Sequence, residues 1–161
     1  NKNVILAAEQ ACELCSKPVV VVPSRCAPQG IAALLAFNYQ ADFDANVSYM
    51  TNAMGDVDTG EVTFATRSAT INGVKVTDGQ IIGLQNGELK VTGATPGEVV
   101  QKLLEEMNPA DREIITLYYG EDVSDSAADK LVALLQERWP DQEIESVAGG
   151  QPHYHYILSV E

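Results

Sequence analysis

The run Glu113-Ile114-Ile115-Thr116-Leu117-Tyr118-Tyr119-Gly120, with Ser124–Trp139 and Glu143–Val147 behind it, decides the fold class. Ile114 to Tyr119 are β-branched, aliphatic or aromatic, as a buried strand requires. From Ser124 onward Ala128, Leu131, Leu134, Leu135 and Trp139 recur every three or four positions, the period of a helix with one apolar face. Pro140 stops that helix. Glu143–Val147 reads as a second strand, Gly149-Gly150-Gln151-Pro152 as a turn and Tyr154–Val160 as a last strand. Strand, helix and strand in this order make a βαβ crossover, which joins parallel strands. The predicted fold is α/β, a mostly parallel sheet flanked by helices.

Upstream of this unit, Thr95-Pro96-Gly97-Glu98 is a capping box with Pro at the first helical position. The helix it opens runs to Met107 on an apolar face of Val99, Val100, Leu103 and Leu104, and Asn108-Pro109 ends it. Between Val57 and Val91 the chain is rich in Thr, Val and Ile, broken by Asn72-Gly73 and Asn86-Gly87. Asn-Gly between β-rich runs is a hairpin signal, because both turn residues take positive φ. The predicted strands are Glu61–Arg67, Thr70-Ile71 with Val74–Val76, and Gln80–Leu84 with Glu88–Val91, an antiparallel β-hairpin insertion around residues 57–91.

At the amino end, Asn3 can cap a helix carrying Val4, Ile5, Ala8, Ala11, Cys12 and Cys15 on its apolar face. Lys17-Pro18 ends it, and Val19–Val22 reads as a strand buried in the parallel sheet. A loop from Pro23 to Pro28 leads to a helix over Gln29–Phe37, and another helix starts at Asp44. No linker divides the chain, so residues 1–161 are expected to form a single domain. The chain starts without Met and goes directly into a helical pattern, as a fragment of a longer protein would.

The chain carries 10 Lys and Arg against 23 Asp and Glu, a net charge of -13. That balance opposes docking on phosphate backbones and anionic lipid, so nucleic-acid binding is not expected. No stretch approaches the roughly 20 apolar residues of a membrane helix. No basic start precedes an apolar core, so no signal peptide is read and a cytoplasmic location is expected. The three cysteines, Cys12, Cys15 and Cys26, are too few and odd in number for a disulfide framework. Cys12 and Cys15 have C-x-x-C spacing, but on a helix they share a face and pack as small hydrophobes. No second such pair completes a zinc site.

Four sets of residues are candidates for chemistry. Ser24, Arg25, Gln29 and Gly30 lie in a loop between the expected strand and a helix start, where backbone amides can hold an anion. Gly149, Gly150, Gln151 and His153 offer a ligand or partner surface. His153 and His155, two apart in a strand, would share a face and chelate a metal if Cys26 or Glu161 supplied a third ligand. The competing reading is two half-exposed histidines with tyrosines opposite, and it outweighs the metal site. Glu121, Asp122, Asp125 and Asp129 cluster at a helix start, where they suit the macrodipole. No phosphate-loop or dinucleotide fingerprint occurs, and no G-x-S-x-G elbow. No catalytic residue is assigned.

Three blocks carry a family resemblance. They are Asn3–Ala11 with Val20–Ser24 and Gln29–Asn38; Glu61–Arg67 with Asn72–Val74; and Ile115–Val123 with Gly149–Pro152 and Tyr156–Glu161. Together they resemble the carboxy-terminal region of the catalytic component in the fatty acid kinase family, which is dihydroxyacetone-kinase-like. The resemblance implies a DegV-like fold and a non-catalytic accessory or interaction role. It implies a full-length parent that uses ATP to convert a protein-bound fatty acid to acyl-phosphate. Mg-ATP would then sit in an amino-terminal kinase domain outside this chain, with no cofactor here. Expected partners are the kinase and middle domains of its own chain and a DegV-type fatty-acid-binding protein. The family's catalytic Cys and His-x-His pair are not carried over to Cys26, His153 and His155, whose surroundings differ. The alternative is a DegV-like module that binds a fatty acid or small anion.

Overall fold

The computed structural model describes residues 2–71 and 74–161, so the expected turn Asn72-Gly73 lies outside the described residues. The chain forms two compact units, the first ending at Val57 and the second spanning Asp58–Glu161.

The first unit is helical: α1 is Lys2–Glu13, α2 is Ala27–Leu35 and α3 is Phe43–Asp56. Asn3 thus stands inside the first turn of α1 rather than at its cap. The helix closes with bonds from the Leu14 and Cys15 amides to carbonyls three residues back, a tightened last turn ahead of Pro18. Cys15 is therefore past the helix end and exposed, and it does not pack beside Cys12. Val19–Val22 joins neither sheet. Val19 and Val20 are about half exposed, so the expected buried strand is corrected to an extended connection. A β-branched run favours extended backbone, but it becomes a strand only with a hydrogen-bonded neighbour.

Helix α2 packs against α3. Buried Asn46 on α3 organises the connection between them. Its Oδ1 accepts from the Asn38 amide at 2.7 Å. Its Nδ2 donates to the carbonyls of Asn38, Ala41 and Asp42 at 2.8, 3.2 and 3.1 Å. Asp42 caps α3 by accepting from the Ala45 amide at 2.8 Å.

The second unit is built on one six-stranded sheet. Its strands are β1 (Asp58–Phe64), β4 (Ile81–Gln85), β5 (Glu88–Gly93), β6 (Ile114–Tyr119), β7 (Glu143–Ala148) and β8 (Tyr154–Val160). They lie in the order β5-β4-β1-β8-β6-β7. A separate two-stranded ribbon joins β2 (Ala69–Ile71) to β3 (Val74–Val76). Helix α4 (Pro96–Met107) packs on β1, β4 and β5, and α5 (Asp125–Arg138) packs on β7.

The fold is α/β, as expected, but the mostly parallel sheet is corrected. In the principal sheet only β6 and β7 run parallel, joined by α5; the other four pairings are antiparallel. The stretch 57–91 is not an insertion either, because β1, β4 and β5 make up half of that sheet. The reason is that β8 returns between β1 and β6 and bonds antiparallel to both, a pairing that strand-by-strand reading cannot see. Strand β1 also starts three residues earlier than predicted. The Asn86-Gly87 turn closes on it, with the Asn86 amide bonded to the Thr59 carbonyl at 2.9 Å. Both turn residues have positive φ, 50° and 81°, as a tight hairpin demands.

One sheet face carries Val62, Tyr156, Leu158, Val160, Ile115, Leu117 and Ile144, and α4 and α5 cover it. Val99, Val100, Leu103 and Leu104 of α4 are buried there beside Leu131 and Leu135 of α5. Each fully buried aliphatic side chain of this kind contributes roughly 1.5–3 kcal/mol, so this face holds the second unit together. The α4 capping box forms: Thr95 Oγ1 accepts from the Glu98 amide at 3.2 Å, and Glu98 reaches back to the Ala94 amide at 2.9 Å.

Candidate functional site

Both parallel strands end at one edge of the sheet, where β6 passes through Gly120–Val123 into α5 and β7 turns through Gly149–His153 into β8. Ligands of α/β folds bind outside the carboxyl ends of parallel strands. Here a groove of about 470 Å³ opens between Pro96-Gly97 at the start of α4 and Asp122–Ser124 before α5. Ala127 and Leu131 of α5 wall it, with His155 and Tyr156 of β8.

His155 owes its place to a β-bulge. Val62 pairs with Tyr156 but Thr63 pairs with Tyr154, so His155 is the extra residue. Strand alternation would send it to the face opposite Tyr156; the bulge lets both line the groove. Phe64 lies beside the imidazole, with ring centroids 6.4 Å apart. His155 Nδ1 meets Asp122 Oδ2 at 2.6 Å, with the imidazole side chain 16% exposed. Nδ1 donates, which fixes the ring's orientation. Nε2 is buried and has no hydrogen-bond partner among the described residues.

An Asp-oriented histidine is half of a nucleophilic triad, yet this one does not present its second nitrogen to solvent. Ser124 lines the same groove, but its hydroxyl accepts from the Ala127 amide at 3.3 Å as the α5 cap. The pair therefore ties the β6–α5 loop to β8, and the groove is built for binding. Tyr156 at its floor is held above the ordinary phenol range by burial first and by the Asp122 charge second. Tyr119 is raised likewise, by desolvation and then by its bond to Asp125, which accepts from the hydroxyl at 3.1 Å. Both phenols stay neutral and act as donors.

The other candidates fall as follows. Gly149 and Gly150 both donate their amides to the Tyr119 carbonyl, at 3.0 and 3.2 Å. Gln151 Nε2 donates to the Tyr118 carbonyl at 2.9 Å, and the Gln151 carbonyl accepts from the Glu121 amide at 3.2 Å. This segment is stitched to the end of β6. His153 precedes β8 with φ 71°, is exposed, and accepts on its carbonyl from Thr63 Oγ1 at 2.6 Å. The two-residue strand period therefore does not relate it to His155. Cys26 is the N-cap residue of α2 in the first unit. Among the described residues, no three His, Cys, Asp or Glu side chains are placed to hold a metal ion.

In the Ser24–Gly30 loop the Ser24 amide bonds the Val22 carbonyl at 2.8 Å, and the Arg25 amide bonds Gln29 Oε1 at 2.9 Å. Two of its amides are thus already engaged, and Gln29 serves as an internal cap. Of the acidic cluster, Asp122 pairs with His155 and Asp125 with Tyr119, while Glu121 and Asp129 are exposed. Asp122 and His155 are each visible in the sequence, but not as partners. Asn46 carries no signal there beyond being a polar residue within a helical period.

A mixed sheet with helices on one face and a groove at its strand ends defines a DegV-like α/β domain. Its fold matches a DegV family protein from Thermus thermophilus whose structure concerns fatty acid binding. The TM-score is 0.55 at 12% identity, covering 98% of this chain and 66% of that one. The chain belongs to the FakA-like C-terminal family of fatty acid kinases, whose model matches residues 1–161. Relatives include Protein YloV of Bacillus subtilis (strain 168), 40% identical over 161 residues. Another is protein SH1689 of Staphylococcus haemolyticus (strain JCSC1435), 38% identical over 161 residues. The chain spans 29% of the length of each. No helix of the described residues is long and apolar enough to cross a membrane.

Proposed function

We propose that this chain is the carboxy-terminal accessory domain of a cytoplasmic fatty acid kinase, and that it works by docking rather than by catalysis. Family membership over all 161 residues carries this reading. The parent enzyme would phosphorylate a protein-bound fatty acid to an acyl-phosphate. Mg-ATP would be held elsewhere in the parent, because the Ser24–Gly30 loop has its amides engaged internally and offers no cradle. The partners would be the parent's kinase and middle domains and a DegV-type fatty-acid-binding protein. The net charge of -13 favours partner surfaces carrying Lys and Arg. Titration calorimetry of the chain against an acyl-loaded DegV-type protein tests the docking. Saturable binding that weakens as salt rises is expected; heat only from dilution would end this reading.

A second reading follows from the groove between α4 and α5, which is large enough for a small ligand and lies where α/β folds bind one. As a DegV-like module the chain would hold a fatty acid or small anion there. Thermal-shift measurement with fatty acids and phosphate checks this, and an unmoved melting temperature at saturating ligand would remove it.

A further inference from the structure

A second cavity, of about 140 Å³, lies in the second unit away from the groove. Ile82 and Leu84 pair with Thr63 and Glu61, which alternate with Val62, so they belong to the sheet face opposite α4 and α5. Ala65, Val76, Ile82, Leu84 and Leu89 wall the cavity, and Arg67 lines its open side. The same apolar residues form a small cluster separate from the main core. The gap exists because the residues at the ribbon's base, Ala65 and Ala69, are too small to fill the space over β4 and β5. An apolar cavity of about 150 Å³ takes up benzene in a well-packed protein, so this one accommodates about one ring or one short branched chain.

We infer that this cavity binds a small carboxylic acid, its ring or branched hydrocarbon seated against Ile82, Leu84 and Leu89 and its carboxylate paired with Arg67. A guanidinium fork matches a carboxylate with two parallel hydrogen bonds. Among the described residues Arg67 forms no ion pair, although the chain carries 23 acids. The remaining walls are apolar apart from the Thr66 hydroxyl, so a ligand charged at one end only fits. A long acyl chain would leave most of its length in water, which separates this site from one built for long-chain fatty acids. The inference does not depend on the proposed docking role.

Amide NMR titration of the 161-residue chain with phenylacetate and 3-methylbutanoate, against neutral 2-phenylethanol, tests the site. Saturable shifts centred on Val76, Ile82, Leu84 and Leu89 are expected, with a Kd of about 1 mM or tighter for ligands of this size. Arg67→Gln should weaken the acids by about tenfold and leave the alcohol unchanged. Ala69→Leu fills the space and should abolish binding of all three; if its spectrum shows an unfolded chain, the Arg67→Gln comparison decides alone. The site is overturned if the acids give no saturable shifts, if the shifts map to Asp122 and His155, or if Arg67→Gln affects acid and alcohol equally.

Discussion

Gly120 lies directly against the backbone of Tyr154: a Cβ at position 120 would overlap the Tyr154 carbonyl oxygen and stand 2.8 Å from that of Gln151. The Gly120 amide meanwhile bonds the carbonyl of His155 at 2.9 Å. The end of β6 and the start of β8 are thereby pressed together at the bulge that aims His155. Both opposing atoms are backbone and cannot rotate away. Gly120→Ala is expected to cost about 2–3 kcal/mol, the overpacking range, read as a lower urea midpoint. An unchanged midpoint would mean the two loops separate easily.

Asp122 and His155 clamp the loop that leads into α5. Asp122→Ala removes the acceptor from Nδ1 and should cost about 1 kcal/mol, because the carboxylate is half exposed and water replaces part of the loss. Asp122→Asn keeps an acceptor oxygen and should cost less. Hydrogen exchange at Val123 and Ser124 checks the mechanism, with faster exchange expected in the Ala variant than in the Asn variant.

Glu61 is held above the ordinary carboxylate value by burial on the sheet face away from the helices. Through the window that starts at its unfolded value, near 4.5, and extends to the raised folded value, the folded chain binds more protons than the unfolded one. Its contribution to stability is thus fully present below that window and lost as pH rises through it. Glu61→Gln removes the titration. The variant should gain on the wild type as pH rises from about 4 to about 7 in denaturant melts, and a constant difference would refute the assignment.

Asn46 satisfies four backbone groups of the Asn38–Asp42 connection from a buried position. Asn46→Leu keeps the bulk and leaves those groups without their partner, at a cost of about 2–3 kcal/mol. The loss should appear in the first unit, as fast amide exchange across α2 and α3 with the β8 amides unchanged. Equal loss of protection in both units would show that they unfold together.

The local elements are legible because they are written in short-range terms. The α4 capping box, the Asn86-Gly87 turn, the α5 period and the limits of β8 each depend on residues within one or two turns of one another, and each forms. Val19–Val22 misleads for the same reason: propensity is local, but a strand's partner is not. The two histidines do not stand as their spacing suggests because a bulge adds one residue between β1 and β8, and nothing in Tyr154-His155-Tyr156 announces it.

Period, capping and motif spacing act along the chain, so the residues in order suffice for the elements, their apolar faces, the family and the lack of a phosphate-loop motif. The assembled fold was needed to show that the sheet is mostly antiparallel, that Asp122 reaches His155, and that Arg67 meets an apolar cavity. These depend on which strands share hydrogen bonds across gaps of 27 residues and more, as between Thr59 and Asn86. Such pairings are chosen by the burial of one common face under α4 and α5, a property of the whole sheet and of no single segment.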